Sequence, residues 1–503
     1  MKLSELRTTQ VDDKTRVEVT VTWEQAQRPA QTLFAEIASE FAGGLALDYD
    51  AFVAACAVPA MHFGERRLAV DGDVCPKLAD GLAFVMEILR QWYGSKNPVV
   101  GIDPQAGFKA RYPVAKPRGG MLLSGGIDSL AMLRLNRRYY PLDHPDAIHD
   151  GFVIEGFDIS GFVKHSKGSV DRARLALTAI AEDAGVTLIP IRTNLLEINR
   201  DVKFYVQQWH GGALPALTHL FGNRITRTYI ASSYDASNLT PWGSHPLIDP
   251  YFSNSRLQVV HDNANLSRFE KTKCISDWDA ALHNMRVCSK ETSETVNCGH
   301  CEKCVRTMLA LLVLGRLQNC RAFPARDIST AMLRGISFGS LYGLACYKDL
   351  VDPLVECGRN DLADVLRRKI HYYGPSIAFG KLNQSESLKH LDQTQKEILD
   401  VLPPNQSFVL IDDAAFDGRE FNGHAALPFL HRDGTCEPPE EDVTAIEELE
   451  RLCNSGANFV IFAAAAYWWL EYYQDFDRHL RSTFRCVLEN ERLTVFVRPS
   501  QTN

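Results

Sequence analysis

Apolar and polar positions alternate along the chain with periods that change from strand to helix. Residues 16–22 (RVEVTVT) follow the two-residue period of a strand, and residues 75–93 carry apolar side chains at helical spacing. Two prolines and two glycines between Pro113 and Gly120 then mark a boundary. The pattern therefore predicts a small N-terminal α+β domain over residues 1–117.

Residues 118–320 alternate short apolar runs with helical patterns, which favours a central parallel sheet with helices on both faces. The predicted strands are 119–124, 151–157, 186–191 and 228–232, and the predicted helices are 129–138, 170–184 and 213–221. Residues 321–402 are expected to form a helical extension. A last small α/β domain is predicted over residues 403–503, with strands at 408–412, 458–463 and 493–497.

Composition and charge narrow the class of protein. The chain has 503 residues, of which 45% are hydrophobic and 23% charged, and these values exclude wholesale disorder. The net charge of −8 argues against nucleic acid as a partner that is held by bulk positive charge. The longest apolar runs, 308–315 and 459–470, are too short to cross a bilayer, and the first residues lack the apolar stretch of a secretory signal. We therefore expect a cytoplasmic protein without membrane segments.

The most informative short motif is SGGIDS, which runs from Ser124 to Ser129 between an apolar strand and a helix. Gly125 and Gly126 let backbone N–H groups approach a phosphate closely, and the helix N-terminus adds unsatisfied donors. The two serines supply hydroxyl groups, while Asp128 suits a hard cation such as Mg²⁺ that bridges phosphates. The motif therefore predicts a phosphate cradle unlike the P-loop G-x-x-x-x-G-K-[ST], with a tight capped turn as the alternative.

Four of the 13 cysteines lie within 17 residues, at Cys288, Cys298, Cys301 and Cys304. The C-x-x-C-x-x-C core brings three thiolates within reach of one metal ion, and Cys288 can complete a tetrahedral set. Four thiolates are the ligands that a structural Zn²⁺ prefers, so the spacing predicts a zinc knot, with His300 as a weaker substitute for one cysteine. Buried free thiols or a redox pair are the alternatives.

Polar residues also follow the predicted fourth strand. Ser232 and Asp235 would lie on the carboxyl edge of the sheet, where ligands bind in open α/β folds. We expect them to contact a bound nucleotide. Ser244 and His245 in the next loop are further candidates for contacts to the nucleotide or its acceptor, with a polar surface loop as the alternative.

The SGGIDS motif resembles the signature of the PP-loop ATP pyrophosphatases, the adenine nucleotide alpha-hydrolase superfamily. The resemblance implies a HUP-type fold that holds the pyrophosphate of ATP in this loop and transfers AMP to a carboxylate or carbonyl oxygen. With the cysteine cluster and Arg306 behind it, the segment 118–315 is similar to the QueC-type 7-cyano-7-deazaguanine synthases. In LSRFEKTKC (266–274), the match implies that Lys271, or else Lys273, contacts phosphate or carboxylate.

The chain departs from that family at two places that would shape the acceptor pocket. Residues 157–159 (FDI), with Lys164 and His165 behind them, stand where the family carries Tyr-Gly-Gln. Residues 209–212 (WHGG) replace its Pro-Gly-Arg-Asn element. The ATP half of the resemblance is therefore carried over to this chain, and the deazapurine substrate is not.

The resemblance implies an ATP-dependent ligase that activates a carboxylate as its adenylate, a QueC-like amide or nitrile synthase or ligase with ATP, Mg²⁺ and Zn²⁺ as cofactors. Asp128 and Lys271 would be its catalytic residues. The acceptor is expected to be a small-molecule or protein-borne carboxylate or amine. Lys2 stands where asparagine synthetase-like enzymes carry a nucleophilic cysteine, which favours ammonia or an amine over glutamine as the nitrogen source.

Two other functions stay open from the sequence. One is an RNA-modifying PP-loop enzyme of the tRNA thiolation or lysidine type, which would need a basic face that a net charge of −8 disfavours. The other is a zinc-containing scaffold that has lost catalysis. Some QueC-like proteins occur in bacterial antiviral defence operons, and by that analogy the flanking domains would bind a protein partner.

Overall fold

The structure of the chain is a computed structural model, and its contacts divide the chain into two compact units. The first comprises Met1–Gly299 with Leu314–Arg326, and the second comprises His300–Val313 with Asp327–Asn503. The residues that the structure describes are 1–113, 116–155, 157, 167–290, 295–336, 338, 340–370, 384–412, 416, 420–429, 431–432, 435–436, 439 and 441–499.

The first unit is built on a ten-stranded, mostly parallel sheet. In chain order its strands are β1 (Lys2–Val11), β2 (Lys14–Thr22), β3 (Gln31–Ala38), β4 (Arg67–Val70), β5 (Gly101–Pro104), β6 (Gly119–Leu122), β7 (Ile148–Glu155), β8 (Thr187–Thr193), β9 (Arg227–Ala231) and β10 (Gln258–Asp262). Across the sheet the order is β10-β9-β6-β7-β8-β3-β2-β1-β4-β5. Neighbours run parallel from β10 to β8 and from β1 to β5, and antiparallel from β8 to β1.

Helices of several lengths accompany this sheet. They are α1 (Asp50–His62), α2 (Pro76–Tyr93), α3 (Ile127–Tyr139), α4 (Lys167–Asp183), α5 (Val202–Phe204), α6 (His210–His219), α7 (Arg268–Ile275) and α8 (Asp279–Asn284). Helix α1 is apolar on all sides and almost wholly buried, whereas α2 is amphipathic, with a proline in its first turn and Gly94 in the left-handed conformation (φ +62°) after its end. A π-helical turn (Tyr205–Trp209) leads into α6.

The N-terminal strands belong to the same sheet as the later strands of the first unit. Strands β1–β5 continue the sheet of the later strands through the β3–β8 pair, where Ala35 lies opposite Thr193 and Glu36 opposite Arg192. One continuous core runs from Met1, just before β1, to Val259 on β10. The boundary predicted at residue 117 therefore falls inside the first compact unit, because the strands on its two sides share one sheet and one core.

The second unit contains a five-stranded sheet with the order β12-β11-β15-β17-β16, parallel among the first three strands and antiparallel beyond them. Its strands are β11 (Ser407–Ile411), β12 (Ala425–Pro428), β13 (His431–Arg432), β14 (Thr435–Cys436), β15 (Ala457–Ala463), β16 (Arg485–Glu489) and β17 (Leu493–Val497), of which β13 and β14 pair separately. Its helices are α9 (Glu302–Val313), α10 (Thr330–Arg334), α11 (Leu341–Glu356), α12 (360–370), α13 (Gln384–Val401), α14 (Asp442–Asn454), α15 (Trp468–Tyr472) and α16 (Gln474–Thr483).

The alternation along β15 explains how this second sheet is packed. Val460 and Phe462 join one buried cluster, and Phe459 and Ile461 join another. Successive side chains of a strand point to opposite faces, so both faces of this sheet are covered. The fold of the chain is thus mixed α/β with a large, mostly parallel sheet, as predicted. No helix in the described ranges is long and apolar enough to cross a membrane.

Candidate functional site

The SGGIDS segment forms a tight loop between β6 and α3. Gly125 adopts the left-handed conformation (φ +75°), and a Cβ atom there would lie 2.9 Å from Cδ2 of Leu177. Gly126 is extended and caps α3, and the Gly125 carbonyl accepts a 2.9 Å hydrogen bond from the Arg286 amide. A side chain at Gly125 would be strained by both its backbone and its neighbour, so this loop needs glycine there.

The two serines of the motif stabilise the loop from within. The hydroxyl oxygens of Ser124 and Ser129 lie 3.2 Å apart, and Ser129 donates a 3.0 Å hydrogen bond to the Gly126 carbonyl. The Gly126 amide in turn contacts the Ser124 hydroxyl at 3.3 Å. Ser129 is buried, whereas Ser124 is exposed at the mouth of the loop. The Ser124 hydroxyl is therefore the exposed polar group before α3, while the first turn of the helix is mostly buried.

Asp128, in the first turn of α3, is held by two cations. Its Oδ2 atom accepts a 2.7 Å hydrogen bond from Nη1 of Arg268, and its Oδ1 atom lies 3.5 Å from Nζ of Lys271. Oδ1 is buried and accepts no hydrogen bond from the described residues. The structure therefore brings together Asp128 and Lys271, which the sequence predicts as site residues.

The capping of helix α7 fixes the residue at which the helix begins and therefore the side on which both cations lie. The Ser267 hydroxyl accepts from the Glu270 amide and the Glu270 carboxylate accepts from the Ser267 amide, which is a capping box. Arg268 and Lys271 are three residues apart and so share one side of the helix. Lys273, the alternative in the sequence, is exposed.

Lys271 is a fully buried cation. Its Nζ atom donates a 2.7 Å hydrogen bond to the Ser232 carbonyl, in addition to the ion pair with Asp128. Burial lowers the pKa of Lys271, an effect that the negative charge of Asp128 opposes. A buried cation interacts strongly with a nearby negative charge, because water does not screen it.

The loop after β9 contacts Lys271 through a main-chain carbonyl. The Ser232 side chain is buried and donates to the Tyr234 carbonyl at 2.6 Å, so its main-chain carbonyl is the group that holds Lys271. The Asp235 carboxylate accepts hydrogen bonds from the Ser237 amide at 3.1 Å and from the Asn238 side chain at 2.9 Å. Nucleotide contacts by the Ser232 and Asp235 side chains stay predictions, and both side chains already bind within their own loop.

Two further candidate segments of the sequence pack against each other. The Gly211 amide donates a 2.7 Å hydrogen bond to the Gly243 carbonyl, and a Cβ atom at Gly211 would lie only 1.9 Å from that oxygen. Asp249, which is fully buried, accepts from the Ser244 hydroxyl at 2.6 Å and contacts Nδ1 of His261 at 2.7 Å. The loop of Ser244 is thereby fixed to the start of α6 and to β10.

The four cysteines of the second motif come together in space. The sulfur atoms of Cys288, Cys298, Cys301 and Cys304 all lie within 4.8 Å of one another. This separation suits sulfur ligands that share one metal ion such as zinc, with Zn–S distances of about 2.3 Å. The predicted four-cysteine cluster is confirmed as a group that could bind a metal.

The segment that carries Cys288 is held by a buried asparagine. The Asn297 side chain accepts from the Val287 amide at 2.7 Å and donates to the carbonyls of Met285 and Ala322 at 2.9 Å. Gly299, with φ +81°, occupies a position where a Cβ atom would lie 2.6 Å from Cγ of Pro324. These contacts preorganise the turn that precedes Cys301.

Arg268 is the site residue that sequence reasoning missed, although it lies inside the LSRFEKTKC segment. The capping box Ser267-x-x-Glu270 was the available signal, because it sets the start of α7 and so the face that Arg268 shares with Lys271. Asp158, Ile159, Lys164 and His165 of the expected acceptor region lie outside the described residues. No family model, curated protein or solved structure matches the chain.

Proposed function

We propose that the chain is an ATP-dependent adenylating enzyme that releases pyrophosphate and activates a carboxylate for attack by ammonia or an amine. One observation carries the proposal: Arg268 and Lys271 meet Asp128 at a glycine-rich loop that opens a helix. Cations, backbone N–H groups and a carboxylate at one loop are the groups that a metal–triphosphate complex needs. The similarity to the PP-loop and QueC-type enzymes supports the same chemistry.

The phosphate-binding groups and the carboxylate at this loop fit ATP bound together with Mg²⁺. Mg²⁺ usually takes one or two carboxylates together with phosphate oxygens and water. The Asp128 carboxylate can serve as such a ligand: its Oδ1 atom accepts no hydrogen bond from the described residues, although it faces the Lys271 ammonium group at 3.5 Å. Ser124, Gly125, Gly126 and Ser129 would hold the pyrophosphate part of ATP. Asp128 would hold the Mg²⁺ ion, and the bound ion would neutralise part of the negative charge of the phosphates.

In the first step, an oxygen of the acceptor carboxylate attacks the α-phosphorus of ATP. The new O–P bond replaces the bond to pyrophosphate, which leaves with the electron pair. The loop N–H groups and Lys271 stabilise the charge that grows on the departing pyrophosphate. An amine then attacks the adenylate carbon, AMP leaves with its oxygen, and the nitrogen gives up its proton. Adenylation thus turns a poor leaving group into a good one.

For the cysteine cluster we infer a structural Zn²⁺ bound by Cys288, Cys298, Cys301 and Cys304. Four thiolates complete the coordination of zinc and leave no position for a substrate, so this metal would stabilise the fold and take no part in the reaction. The acceptor is a small molecule or a protein-borne carboxylate or amine.

The reaction is tested by incubating the zinc-loaded protein with ATP, Mg²⁺, ammonium and a panel of carboxylates, and by measuring AMP, ADP and pyrophosphate. We expect AMP and pyrophosphate in equal amounts, and a fall of at least about 100-fold in the Asp128→Ala variant. Formation of ADP, or AMP release that the Asp128→Ala variant leaves unchanged, contradicts adenylation.

A further inference from the structure

Both oxygens of Asp128 face cations from the same helix. Arg268 donates to Oδ2 at 2.7 Å, and Lys271 lies 3.5 Å from Oδ1. A divalent cation that binds this carboxylate must therefore compete with two positive charges. This competition affects how a divalent metal ion can bind at the loop.

The direct ion-pair partners of Asp128 are both positive. One carboxylate faces two cations, and the positive end of the α3 dipole adds to them. Two other acidic groups, Asp235 and Asp262, interact electrostatically with Lys271. Asp235 accepts hydrogen bonds within its own turn, and neither Asp235 nor Asp262 forms an ion pair with Arg268 or Lys271 among the described residues. A free divalent cation is repelled from such a site, whereas a triphosphate is attracted to it.

The two cations differ in their freedom to move. Lys271 is fully buried and is also held by the Ser232 carbonyl at 2.7 Å. Arg268 has 14% of its side chain exposed, and its guanidinium group bonds only Asp128 among the side chains of the described residues. Guanidinium groups bind phosphate as readily as carboxylate. Arg268 is therefore the cation that can exchange one partner for the other.

We propose that Arg268 is a latch that takes the place of Mg²⁺ at Asp128 until a nucleotide binds. The triphosphate draws Arg268 away from Oδ2, and the freed carboxylate then accepts the metal that arrives with the nucleotide. The latch makes metal binding conditional on nucleotide, so the loop does not hold Mg²⁺ alone. This inference rests on the proposed ATP site and adds an order of binding to it. Arg268 is thus a positioning residue that acts through Asp128.

Mn²⁺ binding tests the latch without any acceptor. The zinc-loaded protein is titrated with Mn²⁺, and free Mn²⁺ is measured by electron paramagnetic resonance, with and without α,β-methylene-ATP, which cannot release pyrophosphate. Because the analogue itself binds Mn²⁺, the titrations with analogue are compared with titrations of the analogue alone. We expect the unmodified protein to bind Mn²⁺ only when the analogue is present. The Arg268→Gln variant should bind Mn²⁺ alone at least about tenfold more tightly, because one positive charge has left the carboxylate.

Three further variants assign that gain to the latch. Arg268→Lys keeps the charge and should exclude Mn²⁺ as the unmodified protein does. The Arg268→Gln variant combined with Asp128→Asn should lose the gained site. Arg138→Gln is the matched control. Arg138 lies on the same helix as Asp128 but pairs with Asp277 at 2.9 Å, so its loss should leave Mn²⁺ binding unchanged.

Equal Mn²⁺ affinity in the unmodified protein and the Arg268→Gln variant, with nucleotide absent, overturns the latch. A gained site that survives Asp128→Asn overturns it as well. If the analogue fails to bind any of these proteins, the proposed ATP site is contradicted. The Mn²⁺ titrations without nucleotide still decide the latch in that case, so the two failures can be told apart.

Discussion

Arg268 and Lys271 show how one helix gives two residues of like charge different properties. Lys271 is fully buried and held at two points, whereas Arg268 is partly exposed and held at one. Lys271 could be predicted because it matches the lysine-bearing segment of a known family. Arg268 is harder to predict, because the capping box indicates the side of α7 that it shares with Lys271, but nothing in the segment indicates Asp128 as its partner.

The buried state of Lys271 predicts how nucleotide binding depends on pH. Because burial lowers its pKa, this lysine loses its positive charge at a lower pH than an ordinary lysine, whose pKa is about 10.4. Binding of α,β-methylene-ATP with Mg²⁺ should therefore weaken as pH rises through the alkaline range. Competition titrations across that range should show this fall in the unmodified protein and a flat profile in Lys271→Gln.

The exposed Lys273 on the same helix provides the control for that experiment. The Lys273→Gln variant should keep the full pH dependence, since its charge lies in solvent. A fall of the same size in the Lys271→Gln variant would show that another group is responsible.

At the level of elements, the loop between β6 and α3 could be predicted because all its determinants are local. Strand, paired glycines and helix follow one another within a dozen residues, and the structure has them at Gly119–Leu122 and Ile127–Tyr139. Strand β10 was not predicted, because its five residues (QVVHD) contain only two apolar side chains. Its place beside β9 comes from pairing between residues far apart in the chain.

The two glycines of this loop should respond differently to the same substitution. Gly125→Ala forces a left-handed backbone and a 2.9 Å contact with Leu177, so we expect it to lower the free energy of unfolding by about 1–2 kcal/mol. Gly126→Ala meets its nearest atom at 3.4 Å with an ordinary backbone and should lower that free energy by only about 0.5 kcal/mol, because alanine is a poorer N-cap residue than glycine. Urea unfolding and hydrogen exchange of the α3 amides measure both effects, and equal losses would contradict the geometry.

At the scale of the whole molecule, local composition does not predict how far the large sheet extends along the chain. The Pro/Gly-rich stretch before β6 has the composition of a linker, yet strands on its two sides share one sheet. Arg111, two residues before this stretch, is buried and pairs with the fully buried Asp50, which holds the start of the stretch against the fold. Local composition does not record such a contact.

The cysteine cluster allows a prediction for the whole chain. If it binds zinc, Cys301→Ser should lose most of the metal and lower the melting temperature by about 5 °C or more, because a thiolate ligand of a structural ion is removed. Metal analysis and scanning calorimetry measure the two effects. Cys357, which is exposed and outside the cluster, gives the control variant Cys357→Ser. Full zinc content in Cys301→Ser would contradict the four-thiolate site.

The strand order of the large sheet has a consequence for synthesis on the ribosome. The first five strands in the chain occupy one contiguous half of the sheet, β3-β2-β1-β4-β5, so this half can pair as soon as it has been translated. The β3 edge of this half then stays unpaired until β8 (Thr187–Thr193) has been synthesised. During that interval the nascent chain presents an open strand edge, which is the kind of surface that pairs with other unfinished chains. Slow translation before β8 would lengthen this exposure, and a chaperone that covers β3 would shorten it.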